Sequence, residues 1–292
     1  MKLIHKHPIV MIVIGIVGIS LSSILVRFST APSAVTAAWR LLWTVALMTP
    51  VVFGNAEVRK ELMSCGKKTL LESCVSGLLL AVHFTLWFES LKHTSVASST
   101  TIVCTEVIWV SIGYCLFMKG SLPSNAVAAI AVTLVGSVLI ALSDSAFGAG
   151  SLYGDILALL AAVSVAGYTL LGRSVRKTTS TSVYTYVVYS ACTVFLLILC
   201  VCQNNGLLNY GLSPISIGFF LAIFSTILGH SIFSWCLKYF SPSFVSASKL
   251  CEPVAATIMA GVLFSEYPGL LQILGGILIL GGVCWYSRIE SL

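Results

Sequence analysis

Trp87-Phe88-Glu89-Ser90-Leu91-Lys92 and Phe233-Ser234-Trp235-Cys236-Leu237-Lys238 read as one stretch written twice, 146 residues apart, with an aromatic residue, the leucine and the lysine in register. The same offset places Arg27 on Arg173, Ser95 on Ser241 and Glu106 on Glu252. After residue 117 the register slips by one, so that Pro123 meets Pro268. Both halves are strongly apolar, so the chain reads as two related membrane modules. In a membrane, such duplication is the arrangement of a carrier with its substrate site between the halves.

Composition fixes the solvent. Hydrophobic residues make up 58% of the 292 positions and charged residues 9%, and the mean hydropathy is +1.01. A soluble domain carries roughly a quarter charged residues, so this chain is built for lipid. Apolar runs of about 20 residues cross a hydrocarbon core of roughly 30 Å as helices. Ten are predicted: 8–28, 32–53, 69–90, 94–118, 123–143, 152–173, 180–202, 213–238, 242–264 and 267–287. They lack period-two alternation, which excludes a barrel. The first run has no small-residue cleavage site and is needed to complete the first repeat, so no cleaved signal is expected. The ten cysteines lie mostly inside the runs, without CxxC or Cys/His zinc spacing, and read as packing residues; neither metal nor other cofactor is expected. The absence of Walker, GxGxxG, HExxH and GxSxG motifs argues against an ATP-driven pump or a hydrolase.

The net charge of +6 reports topology. With the N-terminus inside, twelve basic residues flank the inner ends of the helices and two, Arg27 and Lys92, the outer ends. That bias places both termini in the cytoplasm and leaves no case for a nucleic-acid partner. Five helices per half force the second half to enter the bilayer from the opposite side. The predicted fold is therefore an all-α integral membrane protein of ten transmembrane helices, two inverted five-helix repeats over 1–146 and 147–292 forming one structural unit, N-in and C-in. The link Asp144–Ser151 is expected outside. The longest loop, 54–68, is expected as a solvated cytoplasmic hairpin, and Tyr184, Tyr186 and Trp285 as interfacial anchors.

The second half resembles the EamA family of the drug/metabolite transporter superfamily. The resemblance rests on Leu250-Cys251-Glu252-Pro253-Val254-Ala255-Ala256, on Leu263-Phe264-Ser265-Glu266, and on Gln272, Gly275 and Gly281-Gly282-Val283. Gly154-Asp155, Gly172-Arg173 and Trp39-Arg40 are similar to that family as well. The resemblance implies five plus five helices and solute transport, with helices three, four, eight and nine around the cargo, one and six gating, five and ten peripheral. The first repeat departs from the pattern, with Glu106-Val107 where the family commonly has proline and Lys119-Gly120 where Gly-Glu is usual. The departures weaken the expectation that the fourth helix bends as the ninth does.

An ionised side chain at mid-bilayer costs about 2.5–3.5 kcal/mol even on insertion scales, so intramembrane charges select the candidate site. Glu106 lies roughly 18 Å into its helix at 1.5 Å per residue, and Glu252 lies at matching depth from the other side. Paired carboxylates there can bind a cationic or zwitterionic cargo or take up protons; alternatively each ties helices together. Lys249 is one helical turn before Glu252 and can pair with it as a lock, or meet Glu106 or a substrate carboxylate. Pro253 removes a backbone hydrogen bond and is the expected hinge of the ninth helix. Arg40 suits either a carboxylate cargo or a scaffold role. His83 and Trp87 sit one turn apart on the third helix, while Thr226, His230 and Ser234 form a polar stripe on the eighth. Ser99 and Trp109 are the expected cavity lining beside Glu106.

These residues predict a secondary active transporter or facilitator of a small polar or amphipathic metabolite such as an amino acid, working by alternating access and outward. Its partners are the small-molecule substrate, protons if Glu106 couples them, and membrane lipid, in a monomer or homodimer of a multi-pass cell (inner/plasma) membrane protein. The alternative is an intramembrane enzyme acting on a lipid or prenyl substrate, with His83, His230 and Glu106 as acid and base.

Overall fold

In lipid a backbone must satisfy its own polar groups, and a helix does so within one segment. Consistent with that demand, the regular structure of the chain, a computed structural model describing residues 8–94, 96–144, 152–255, 258 and 269–290, is helical throughout those residues. In chain order the helices are α1 (Pro8–Arg27), α2 (Ser33–Gly54), α3 (Ala56–Met63), α4 (Lys67–His93), α5 (Val96–Cys104), α6 (Glu106–Met118), α7 (Ser124–Asp144), α8 (Leu152–Val175) and α9 (Thr181–Cys202). Then come α10 (Ser213–Phe220), a π-helical segment (Leu221–His230), α11 (Ser231–Cys236), α12 (Pro242–Lys249) and α13 (Leu270–Glu290). By length and composition, eight helices among the described residues can cross a membrane, and Ser124–Leu139 adds a shorter apolar one. The link at 145–151, Ser95, and the Leu263–Glu266 stretch lie outside the described residues.

The structure corrects four details of the sequence reading. The run 94–118 is two helices divided at Thr105, and 213–238 changes from α to π and back to α. The loop 54–68 is largely α3, because the side-chain Oδ1 of Asn55 accepts from the backbone N–H groups of Glu57 (3.0 Å) and Val58 (3.3 Å) and caps a helix there. Tyr184 is no interfacial anchor: it is fully buried, and its hydroxyl shares a 2.8 Å hydrogen bond with Ser76. All ten cysteines are free thiols.

The chain divides into two compact units, each drawing residues from both sides of residue 146. Unit 1 comprises Met1–Thr85 and Gly167–Tyr239, and unit 2 comprises Leu86–Ala166 and Phe240–Leu292. In unit 1, α1 lies against the π segment so closely that a Cβ on Gly18 would fall 2.6 Å from the carbonyl oxygen of Phe224, a spacing only glycine permits. Trp39 and Trp43 of α2 donate to the carbonyls of Leu207 (3.1 Å) and Ile215 (3.0 Å). In unit 2, α7 packs along α13, and α12 packs on α6 and α13. Ser241 caps α12 by accepting from Phe244 N–H, while its own backbone N–H and hydroxyl donate to the Glu290 carboxylate at the end of α13.

Candidate functional site

Two helices of unit 2 are broken at corresponding positions, each immediately before a glutamate. At Thr105 the backbone ψ is −4°, against about −42° in an α-helix. The local bonds tighten to i−3 spacing: Thr105 N–H donates to Ile102 O (3.0 Å) and Ile108 N–H to Thr105 O (2.9 Å). The Thr105 hydroxyl donates to the same Ile102 carbonyl at 2.6 Å. A hydroxyl competing for a backbone carbonyl bends a helix, so threonine does here what proline does elsewhere.

The second break follows Lys249. Leu250 and Cys251 donate to Ala247 (3.1 Å) and Ser248 (3.2 Å), again at i−3 spacing, and helix resumes over 252–255. Pro253 has no N–H to give to the carbonyl of Lys249, which accounts for the interruption. Thr105 and Cys251 are themselves 146 residues apart, so both breaks occupy equivalent positions of the repeat. Glu106 and Glu252 thus open resumed helical stretches, where the positive end of the backbone dipole favours a carboxylate.

Across the breaks, Lys249 Nζ donates to Glu106 Oε1 at 2.8 Å, with the two side chains 10% and 4% exposed. Of the partners open to Lys249 in the sequence, the structure gives it Glu106, the residue far along the chain. Neutralising each other removes most of the cost that either charge alone would meet in lipid. Glu252 is 9% exposed, and the buried thiol of Cys104 lies within electrostatic reach of Glu106, Lys249 and Glu252 together. Ser99 is buried on α5 and shares a 2.6 Å hydrogen bond with Ser90 of α4. Trp87 is buried with its ring 5.5 Å from that of Phe88. Trp109 is 38% exposed, unlike the buried Glu106 one turn before it.

Unit 1 gathers the other sequence candidates around Arg40. The guanidinium is fully buried; Nε donates to Thr226 Oγ1 at 2.7 Å, Nη1 donates to Ser22 Oγ at 3.2 Å, and Cζ stands 4.1 Å over the Phe84 ring. His230 packs its ring 5.3 Å from Phe84, 6.1 Å from Tyr168 and 6.5 Å from His83. Ser234 completes the stripe through a 2.8 Å bond with Tyr168. The polar stripe therefore survives, on a different helix type. In the wide π turns, the hydroxyls of Thr226 and Ser231 reach the carbonyls five residues back, Leu221 O (3.3 Å) and Thr226 O (3.2 Å). π turns are rare and gather at functional sites. Ser22, Phe84 and Tyr168 escaped the sequence reading: a serine and two aromatics in apolar helices carry no signal until their partners are known.

Comparison with known proteins now gives this architecture a class. Residues 152–288 match the EamA-like transporter family, and the resemblance read from the sequence is borne out. The chain is related through that region to EamA-like transporters, and it is a multi-pass membrane protein. Among its relatives is the uncharacterized transporter YdfC of Bacillus subtilis (strain 168), 25% identical over 69% of this chain and 66% of that protein, just under two thirds of its length. An uncharacterized transporter of Clostridium kluyveri is 22% identical over 82% of this chain and 79% of its own. A solved crystal structure matches 98% of both chains with a TM-score of 0.76 at 16% identity, which shows a shared fold.

Proposed function

We propose that the protein is a secondary transporter or facilitator of a small polar or amphipathic metabolite, amino acids being the leading class, that moves its cargo outward by alternating access. Ten transmembrane helices in two inverted five-helix repeats, with both termini in the cytoplasm of a cell membrane, form the working unit as a monomer or homodimer. The observation that carries this reading is the buried Lys249–Glu106 pair at 2.8 Å, beside two helix breaks 146 residues apart. A purely structural bundle needs neither carboxylates in its core nor the helix breaks that make them tolerable. Discontinuous helices with charged side chains at the break are how transporters present polar groups to a solute. Glu106, Lys249 and Glu252 would contact the cargo or its coupling ion, and Pro253 and Thr105 would act as hinges. Trp87, Ser99 and Trp109 would complete the binding surface in unit 2, and Arg40, His83 and His230 would form a polar cluster of their own in unit 1.

The test is counterflow in proteoliposomes across a panel of amino acids and amines. Wild-type protein exchanges at least one of them; Glu106→Gln abolishes exchange while the protein still elutes as a folded species, and Glu106→Asp retains part. Wild-type exchange by Glu106→Gln would overturn the assignment.

A further inference from the structure

We infer that unit 1 carries a docking surface for anionic phospholipid, built by α3 and the first turns of α4, which together present four cations to the headgroup layer. The inference concerns the outer surface of unit 1 and is independent of the cargo reading.

Charge is divided unevenly between the two units. Twelve of the sixteen basic residues and three of the ten acidic ones fall in unit 1, which leaves it at +9 against −3 for unit 2. A bias of cations toward one side of the membrane sets topology, but it does not require the excess to gather on one unit. The carboxylates of unit 1 do little to offset it at the surface. Glu61 accepts from the backbone N–H of Ser180 at 2.6 Å, which ties α3 to the start of α9. Glu72 stands 3.9 Å from Lys68, and Glu57 occupies the first turn of α3, where the helix dipole favours it. Arg173 and Arg176, at the close of α8, are committed to backbone: they donate to the carbonyls of Leu237 and Ser234. Arg59, Lys60, Lys67, Lys68, Lys177 and Lys238 are exposed.

The shape of α3 turns part of that charge toward lipid. The helix packs against α2 and α9. Val58, Glu61 and Leu62 are half-buried, one turn apart on its inner face, while Arg59, Lys60 and Met63 share its exposed face. Exposed apolar side chains border these cations: Val51 and Phe53 at the end of α2, Met63 on α3, and Leu70 and Leu71 at the start of α4. Long basic side chains reach from an apolar layer to a polar one, and clusters of four or more beside a spanning helix bind acidic headgroups. Acyl chains would lie on the apolar border and the phosphodiester on Arg59, Lys60, Lys67 and Lys68. A soluble phosphate meets the same cations without the apolar border, so the occupant is the diacyl lipid.

The experiment places the full chain in nanodiscs of phosphatidylcholine containing a rising fraction of phosphatidylglycerol. It reads the thermal midpoint and, by native mass spectrometry, the lipids that the protein retains. The wild-type midpoint rises saturably with phosphatidylglycerol, the retained lipid is enriched in it relative to the disc, and high salt reduces both effects. Arg59→Gln/Lys60→Gln/Lys67→Gln/Lys68→Gln melts with wild type in pure phosphatidylcholine and loses the rise and the enrichment. Each pair of substitutions alone loses part of them, which decides the matter if the fourfold variant does not fold. Lys119→Gln/Arg288→Gln, in unit 2, responds as wild type does, and glycerol 3-phosphate added to phosphatidylcholine discs produces no rise. Wild-type protein without enrichment, basic-pair variants that respond as wild type does, an equal loss from the unit 2 pair, or an equal rise with glycerol 3-phosphate overturns the inference. None of those results touches the transport assignment, which counterflow tests separately.

Discussion

Arg40 and Lys249 are both buried cations, and their surroundings give them different work. Arg40 spreads its charge over two hydroxyls and an aromatic face, contacts that a planar, delocalised guanidinium makes and a compact ammonium cannot. Lys249 brings a compact ammonium to the Glu106 carboxylate. Arg40→Lys is therefore expected to destabilise the protein by on the order of 3 kcal/mol, from charge-assisted hydrogen bonds and the cation–π contact. The measurement is the unfolding midpoint in detergent, and a midpoint equal to wild type would remove Arg40 from the scaffold. Sequence alone singled out Arg40 and Lys249, because charge in an apolar run is conspicuous. It did not choose their partners: Lys249 had a neighbour in Glu252 and a distant candidate in Glu106, and only three-dimensional packing of α12 on α6 separates the two.

The two helix breaks explain how carboxylates are tolerated beside so much apolar surface, since each glutamate begins a helical stretch. Pro253→Ala restores an N–H for the carbonyl of Lys249, and an interior proline costs a helix about 3 kcal/mol. That variant is expected to melt at or above the wild-type temperature while exchanging cargo more slowly. Faster exchange, or a lower midpoint, would deny the break a hinge role. The proline made this break visible in the sequence. The break at Thr105 was hidden, because a threonine hydroxyl can bond its own helix or a neighbouring one, as Thr226 does with Arg40, and Glu106-Val107 lacks proline. The π segment was hidden for a related reason: Leu221–His230 has the apolar composition of an ordinary spanning helix. What distinguishes it is the close approach of α1 at Gly18 and the hydroxyls of Thr226 and Ser231 spanning five residues.

For the whole molecule, hydropathy located nearly every spanning helix because lipid imposes length and composition directly, whereas the compact units, 1–85 with 167–239 and 86–166 with 240–292, follow contacts that no linear pattern records. The account turns on water and solute reaching the polar triad from each side of the membrane in turn. Cys104, a native buried thiol within electrostatic reach of Glu106, Lys249 and Glu252, is a probe already in place. The decisive measurement retains Cys104 as the sole cysteine, replaces the other nine, and follows its labelling by a small membrane-impermeant thiol reagent on either face of sealed proteoliposomes. The expected result is labelling from both faces, slowed by transported solute. A folded protein whose Cys104 stays inert from both faces would contradict the account, for the triad would then be a sealed structural lock.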